Sequence, residues 1–332
     1  MKKTLIFLAG ILFLLTSCNQ KFPEPVNPDT SPEARDLLEM FYETQGTRTL
    51  SGQHNYARRQ SLHRSTDTVI ARTGETPVIW GSDFGIPQMR NRMLEAAEKE
   101  YRKGHIITLM WHAPCPIDTI PEKVNPVRYM PNEEEWKDIV TQGTKFNDAL
   151  IADIDGVAEG LKSLRDKQIP VIWRPYHEMN GIWFWWGNQP GEEGFIKLWK
   201  IMYDRFTEHH GLNNLIWTWN ANAPRDWEND QAYAYELFYP GADYVDVLAA
   251  DVYKRDFKQS HHDDLLALAG GKLIALGEIG LPPTPEELDE QPMWSWFMMW
   301  ANWPIKYVEP EDLNALYHHD RVVNFEAFKA NR

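Results

Sequence analysis

Short apolar runs recur along the chain at 49–55, 77–84, 105–112, 170–178, 215–222, 245–253, 273–279 and 294–303. Each is almost continuously hydrophobic and rich in Ile, Val, Leu and Trp, the pattern of a strand covered on both faces. Between them lie stretches of mixed polarity at 90–102, 144–167, 194–209, 231–238 and 261–268, which read as helices. A last one, 310–328, begins with Glu311 and Asp312, the acidic first turn that a helix dipole favours. Eight buried strands alternating with helices predict a single (β/α)8 TIM barrel of the α/β class. A doubly wound open sheet uses the same elements, but no glycine-rich fingerprint follows the first run. The widest interval, between the third and fourth runs, carries a long loop, 113–142, with five prolines.

In such a barrel the chemistry gathers at the C-terminal strand ends. Polar residues fall there in nearly every run: His54 and Asn55, Asp83, His112, His177 and Glu178, Asn220, Asp251, and Glu278. Strict alternation places Glu178, Tyr176, Arg174 and Ile172 on one strand face, and Glu278, Leu276 and Ile274 on another. It also groups Asn220 with Thr218 and Ile216, which turns Trp217 and Trp219 outward beneath the helices as core.

The N-terminus has a different pattern. Lys2 and Lys3 precede an apolar stretch, 4–15, that is too short to span a bilayer, which takes roughly 20 apolar residues. Leu15-Thr16-Ser17-Cys18 follows and resembles a bacterial lipobox, so residues 1–17 read as a lipoprotein signal peptide and Cys18 as the lipidation site. Pro23, Pro25, Pro28 and Pro32 then suggest a proline-rich tether over 18–32, with the barrel domain occupying 33–332. The expected location is that of an exported bacterial lipoprotein, anchored to a membrane through its lipid and facing the periplasm, the outer membrane or the surface. With Cys18 lipidated, Cys115 is the one remaining cysteine and no internal disulfide can form.

Charge and aromatic content narrow the substrate class. Removing residues 1–17 takes away two lysines and no acids, leaving 32 basic against 48 acidic residues, a net charge of −16. Such a surface repels phosphate backbones, so no nucleic-acid partner is expected; a neutral substrate fits. Of the 15 Trp, most lie in or just after the strand-like runs. Large aromatics gathered at strand ends suit a cleft that stacks flat apolar faces, as sugar rings have, although about half of them serve equally well as core packing.

Two segments carry the chemistry. The first is Trp173-Arg174-Pro175-Tyr176-His177-Glu178-Met179-Asn180-Gly181-Ile182-Trp183-Phe184-Trp185-Trp186-Gly187, an acid at a strand tip followed by a glycine turn and four aromatics in a row. The aromatics read as a platform beside the carboxyl. The second is Leu276-Gly277-Glu278-Ile279-Gly280, where flanking glycines leave Glu278 open to a ligand. Either acid alone is as readily explained by a salt bridge; two of them on the fourth and seventh strands of one barrel are a stronger signal.

On these motifs the chain resembles glycoside hydrolase family 26 over nearly all of 33–329, and His177 before the acid is itself typical of that family. The resemblance implies a retaining β-1,4-mannanase acting on mannan, galactomannan or glucomannan or on manno-oligosaccharides, with Glu178 as general acid/base and Glu278 as nucleophile. It further implies substrate roles for His112, His177, Trp183, Tyr253 and Trp300. Asp251 and Tyr253 resemble a family motif at the border of the neighbouring sugar subsite, with a structural role open for Asp251. Asn220 either binds sugar or fills the barrel mouth.

The chemistry fits the pair. A retaining hydrolase needs two carboxyls about 5–5.5 Å apart, one protonated and one ionised. Trp183 is placed to desolvate Glu178, and Tyr253 to hydrogen-bond Glu278. Arg174 reads as a structural charge partner beneath the site, and His54 as a residue that packs or caps. The pairs His209-His210, His261-His262 and His318-His319 fall in helix-like segments where adjacent residues point apart, so no metal and no cofactor are expected. The alternatives are another β-glucan or β-xylan hydrolase of the same family and a noncatalytic sugar-binding lipoprotein.

Overall fold

The structure, a computed structural model, describes residues 22–55, 61–85 and 87–330. Eight parallel strands form its centre: β1 Gly52–His54, β2 Ile79–Asp83, β3 Ile106–Trp111, β4 Val171–Pro175, β5 Leu215–Asn222, β6 Val247–Val252, β7 Leu273–Ile279 and β8 Trp294–Met299. Each pairs with the next, and β8 returns to β1 with Met299 opposite Gln53, so the sheet closes on itself. This is the (β/α)8 barrel that the periodicity predicts.

Burial divides the core into two layers. Ile79, Ile106, Ile172, Ile216, Val247, Ala249, Leu273, Ala275, Trp296 and Met298 fill the barrel interior. Trp173, Trp217, Trp219, Leu248, Ile274 and Leu276 belong to the outer layer, against the helices. Trp217 meets Trp199, Tyr203 and Phe206 there, as expected for an outward core residue.

Helix α1, Pro32–Thr44, closes the interior from below. Ser31 caps its N-terminus by accepting from the Ala34 amide, and Ala34, Leu37, Leu38 and Phe41 join the interior cluster. The described part of the 18–32 segment is therefore not a free tether, and the barrel domain begins before residue 33. The Val26 amide donates to Asp246 at 2.8 Å, the Asn27 side chain to the Leu212 carbonyl at 3.0 Å, and Phe22 stacks on Tyr42. The prolines stiffen a segment that is docked on the barrel, and one of them starts a helix. Cys18 and the 1–17 segment lie outside the described residues.

Two further helices, besides α1, were not anticipated from periodicity: α2 Arg64–Thr73, and α4 Glu133–Val140, which follows α3 Arg90–Lys103 and precedes α5 Lys145–Arg165. The first two were missed in the sequence because each is short; α3 and α5 match their expected ranges closely. The stretch 231–238, expected as a helix, is instead the second arm of a β-hairpin, Arg225–Trp227 against Asp230–Ala232, followed by one tight turn, Tyr235–Phe238. Asn229 takes a left-handed φ of 58° at the hairpin tip, which Asn tolerates better than most residues. The hairpin stands beside the mouth of the barrel.

Candidate active site

A cleft of about 530 Å³ opens at the C-terminal end of the strands. Glu178, Glu278, His112, His177, Trp183, Tyr253 and Trp300 all line it, so the structure brings seven of the expected site residues together. Asn220 and Asp251 do not line it. Both are fully buried beneath its floor, where the Asn220 amide donates to Asp251 at 2.7 Å and its carbonyl accepts from Arg174. Sequence position alone does not separate a cleft wall from the layer that supports it.

Two local departures from regular strand geometry aim the acids. Strand β4 ends at Pro175, and Tyr176 and Glu178 then take left-handed φ values of 47° and 54°. Such values cost a non-glycine residue about 1–3 kcal/mol and persist where the surroundings enforce them. Here the Glu178 amide donates to the Asn220 carbonyl at 2.7 Å, and its carbonyl accepts from Gly181 at 2.9 Å. Tyr176 consequently leaves the face of Arg174 and packs outward on Trp111, Trp185 and Trp186.

On β7 the register with β6 slips between Leu276, opposite Ala250, and Glu278, opposite Asp251. Gly277 is the extra residue of a β-bulge, so Leu276 faces the outer core while Glu278 faces the cleft. The flanking glycines make room for protein, not for ligand. A Cβ on Gly277 would lie 2.0 Å from the Asn220 side chain, and one on Gly280 would lie 2.6 Å from the Tyr253 ring.

Glu178 accepts at both oxygens, from the Trp183 indole at 2.6 Å and from the Asn222 amide at 2.5 Å. Glu278 accepts from the Tyr253 hydroxyl at 2.6 Å, with the Arg174 guanidinium at 3.7 Å. One oxygen each from Glu178, Glu278 and Asp251 lie within 4.8 Å of one another. Of the described residues, these three are the grouping able to offer oxygens to a hard cation. Their fixed partners (Tyr253, Asn220, Trp183 and Asn222) suit carboxyls that trade protons.

Burial raises both catalytic candidates, and Glu278 is pushed up to about 7 as Arg174 and the Tyr253 hydroxyl oppose burial and Glu178 adds to it. Near neutrality the pair therefore shares a proton. The Arg174 charge is otherwise bonded to the neutral Asn220, whereas the Arg225 charge near Glu178 is already matched by Asp230. Arg174 and the Tyr253 hydroxyl favour the anion on Glu278, and the Asn222 and Trp183 donors with Arg225 favour it on Glu178. Asp251 is raised well above the usual carboxylate range, first by burial and then by both glutamates.

The histidines differ. Burial would lower His112, but Asp83, bonded to its Nδ1 at 3.0 Å, and the two glutamates raise it overall. His177 is driven well below its usual value by burial and by His112, and stays neutral. Trp300 stacks on His54 with ring centres 4.4 Å apart, so His54 backs the cleft wall. The four-aromatic run is only partly platform. Trp185 and Trp186 are buried and donate to the carbonyls of Ala113 and His177, while Trp183 and Phe184 reach the cleft.

Sequence reasoning missed Asn222, Arg128 and Arg225, and gave no role to Asp83, which it placed at a strand tip. Asn222 follows Asn220 by two on β5, and alternation alone would have directed it at the cleft. Arg128 comes from the proline-rich loop and Arg225 from the hairpin, neither of which periodicity resolves.

An eight-stranded barrel with two facing carboxyls at the tips of its fourth and seventh strands has the architecture of a retaining glycoside hydrolase. Residues 26–327 match the profile of Glycosyl hydrolase family 26, and the chain belongs to that family. It is 32% identical over 327 residues to a mannan endo-1,4-beta-mannosidase of Thermothelomyces thermophilus, covering 90% of this chain and 62% of that one. It spans between 50% and 62% of the length of that protein and two Piromyces mannosidases. The solved structure of GH26A from a Muricauda species superposes with a TM-score of 0.85 at 43% identity, covering 90% of this chain and 98% of that one. A beta-mannanase from a symbiotic protist of the termite Reticulitermes speratus, solved with a gluco-manno-oligosaccharide, superposes at 0.78 with 28% identity, over 92% and 97% of the two chains.

Proposed function

We propose that the protein hydrolyses β-1,4-mannan with retention of configuration, Glu178 serving as acid/base and Glu278 as nucleophile. The observation that carries this is the approach of Glu178 and Glu278 oxygens to within 4.8 Å. That gap suits a carboxylate attacking the sugar directly; inverting enzymes keep their carboxyls roughly 6.5–9.5 Å apart to admit a water. An ionised Glu278 oxygen attacks the anomeric carbon as the bond to the departing sugar oxygen breaks, and that oxygen takes the Glu178 proton. Water then attacks the same carbon, gives a proton back to Glu178 and frees the Glu278 carboxylate. His112, His177 and Trp300 surround the sugar that is attacked, and Trp183 and Tyr253 hold the two acids.

The mannan preference is supported by the relatives, whose names specify mannan and, in one structure, a gluco-manno-oligosaccharide. A reducing-sugar assay on mannan, galactomannan, glucomannan, lichenan and xylan tests it. Turnover is expected on the mannose-containing polymers; release from lichenan or xylan alone would overturn the mannan reading.

The membrane anchor is likewise a proposal, supported by the short apolar stretch and the Leu15-Thr16-Ser17-Cys18 motif. A diacylglyceryl group and an N-acyl chain on Cys18 together suffice for stable attachment where one chain is marginal. Cys18→Ala is expected to move the protein to the soluble fraction on ultracentrifugation. Unchanged membrane association would rule the lipidation out.

A further inference from the structure

The hairpin after β5 carries an arginine that the mechanism above does not use. Arg225 lines the cleft, and its side chain is almost fully buried. Its Nη2 meets Asp230 at 2.6 Å and its Nε donates to the Asp230 carbonyl, so the guanidinium cannot swing. Its Nη1 donates to the side-chain amide oxygen Oδ1 of Asn222. Its flat face lies 5.0 Å from the Trp183 ring and 4.8 Å from the Trp227 ring. Lys254 continues the ladder, 4.4 Å over Trp227 and 3.0 Å from Asp230.

Asn222 and Trp183 are the two residues whose N–H groups donate to Glu178. The contact at Asn222 Oδ1 settles which end of that amide faces Glu178, because the end bonded to a guanidinium must be the acceptor. The contact on the Trp183 face fixes the plane in which its indole N–H points.

We propose that Arg225 is the positioning residue of the acid/base: a single guanidinium, anchored by Asp230, fixes both groups that donate to the Glu178 carboxyl. This rests on Glu178 having the acid/base role. Each donor engages one oxygen of a carboxyl that itself lines the cleft, where the departing oxygen takes the proton. The same arginine is the nearest cation on the hairpin side and favours the ionised form of Glu178. The other groups facing Glu178 are His112 just after β3, Asp251 on β6 and Tyr253 just after it, and Glu278 on β7, with Lys254 behind Asp230.

Two substitutions on the hairpin give opposite signs. Arg225→Met keeps the bulk and removes the cation, and it leaves Asp230 with Lys254 alone. Both changes add net negative charge near Glu178, so its proton is held to higher pH and the alkaline limb of kcat/KM moves up. Asp230→Asn removes the balancing anion, so the limb moves down. Arg225→Met is also expected to lose on the order of 10-fold or more in kcat on mannan, a part of the roughly 10²–10⁴ that general acid catalysis supplies. It should lose far less on a dinitrophenyl β-mannobioside, whose phenolate leaves unaided. A purely structural role predicts equal losses on both substrates and no movement of the limb, and either of those results would overturn the proposal. So would limbs that move the same way in the two variants. Asp230 is partly exposed, so its variant still reads the sign if Arg225→Met does not fold. The wild-type alkaline limb of kcat/KM on mannan should vanish in the residual activity of Glu178→Ala. If it persists, the acid/base assignment has failed, and not the role of Arg225.

Discussion

Glu278→Ala is expected to lose on the order of 10⁴-fold or more in kcat on every substrate, because residues that form a covalent intermediate contribute at least that much in comparable enzymes. The loss should not depend on the leaving group. With no carboxylate within reach of the anomeric carbon, even an aryl mannobioside has nothing to attack it. Wild-type enzyme given a dinitrophenyl 2-fluoro-mannoside should gain the mass of one glycosyl group on the peptide that contains Glu278. Label on another peptide, or activity within about 100-fold of wild type in the alanine variant, would remove Glu278 from the nucleophile role. Asn220 and Asp251 cannot substitute for it, since both are buried below the floor and bonded to each other.

The pattern of apolar runs made the barrel legible because parallel strands buried on both faces leave a continuous signal that does not depend on loops. It also placed both glutamates at strand ends. It did not foresee how they are aimed. Alternation put Glu278 on the face of Leu276, yet the bulge at Gly277 turns them to opposite faces, and a bulge adds a residue without changing the hydrophobic pattern. Glu178 reaches the cleft through left-handed turns at Tyr176 and at Glu178 itself, which local sequence does not favour and which Asn220 on the next strand holds in place. Two sequence motifs were given the wrong physical cause. The glycines beside Glu278 accommodate Asn220 and Tyr253, and half of the aromatic run after Glu178 is core. The hairpin at 225–232 was hidden because its residues contact Trp183 and Lys254 across the cleft mouth, and no periodicity records that.

Replacing Glu178 separates the two chemical steps and tests the assignment most sharply. Glu178→Ala is expected to fall by roughly 10²–10⁴-fold on mannan, the range that a positioned general acid supplies. Its first step should survive on a dinitrophenyl β-mannobioside, because that phenolate needs no proton. Hydrolysis of the intermediate should then be slow, since no base remains to activate water, and a burst of phenolate should precede a slow steady state. Added azide enters the space that the carboxylate occupied, where a small anion meets no opposing charge, and needs no base. It displaces Glu278 from the anomeric carbon with inversion of the intermediate, so the expected product is a β-mannobiosyl azide and the steady-state rate rises with azide concentration. In the wild type the sugar released first, caught by NMR before mutarotation, should likewise be β. An α product would mean that water attacks directly across a gap which, at under 4.8 Å between carboxyl oxygens, leaves little room for it. Rescue by azide in Glu278→Ala with an α product, in place of rescue in Glu178→Ala with a β product, would show that the two glutamates have the opposite roles.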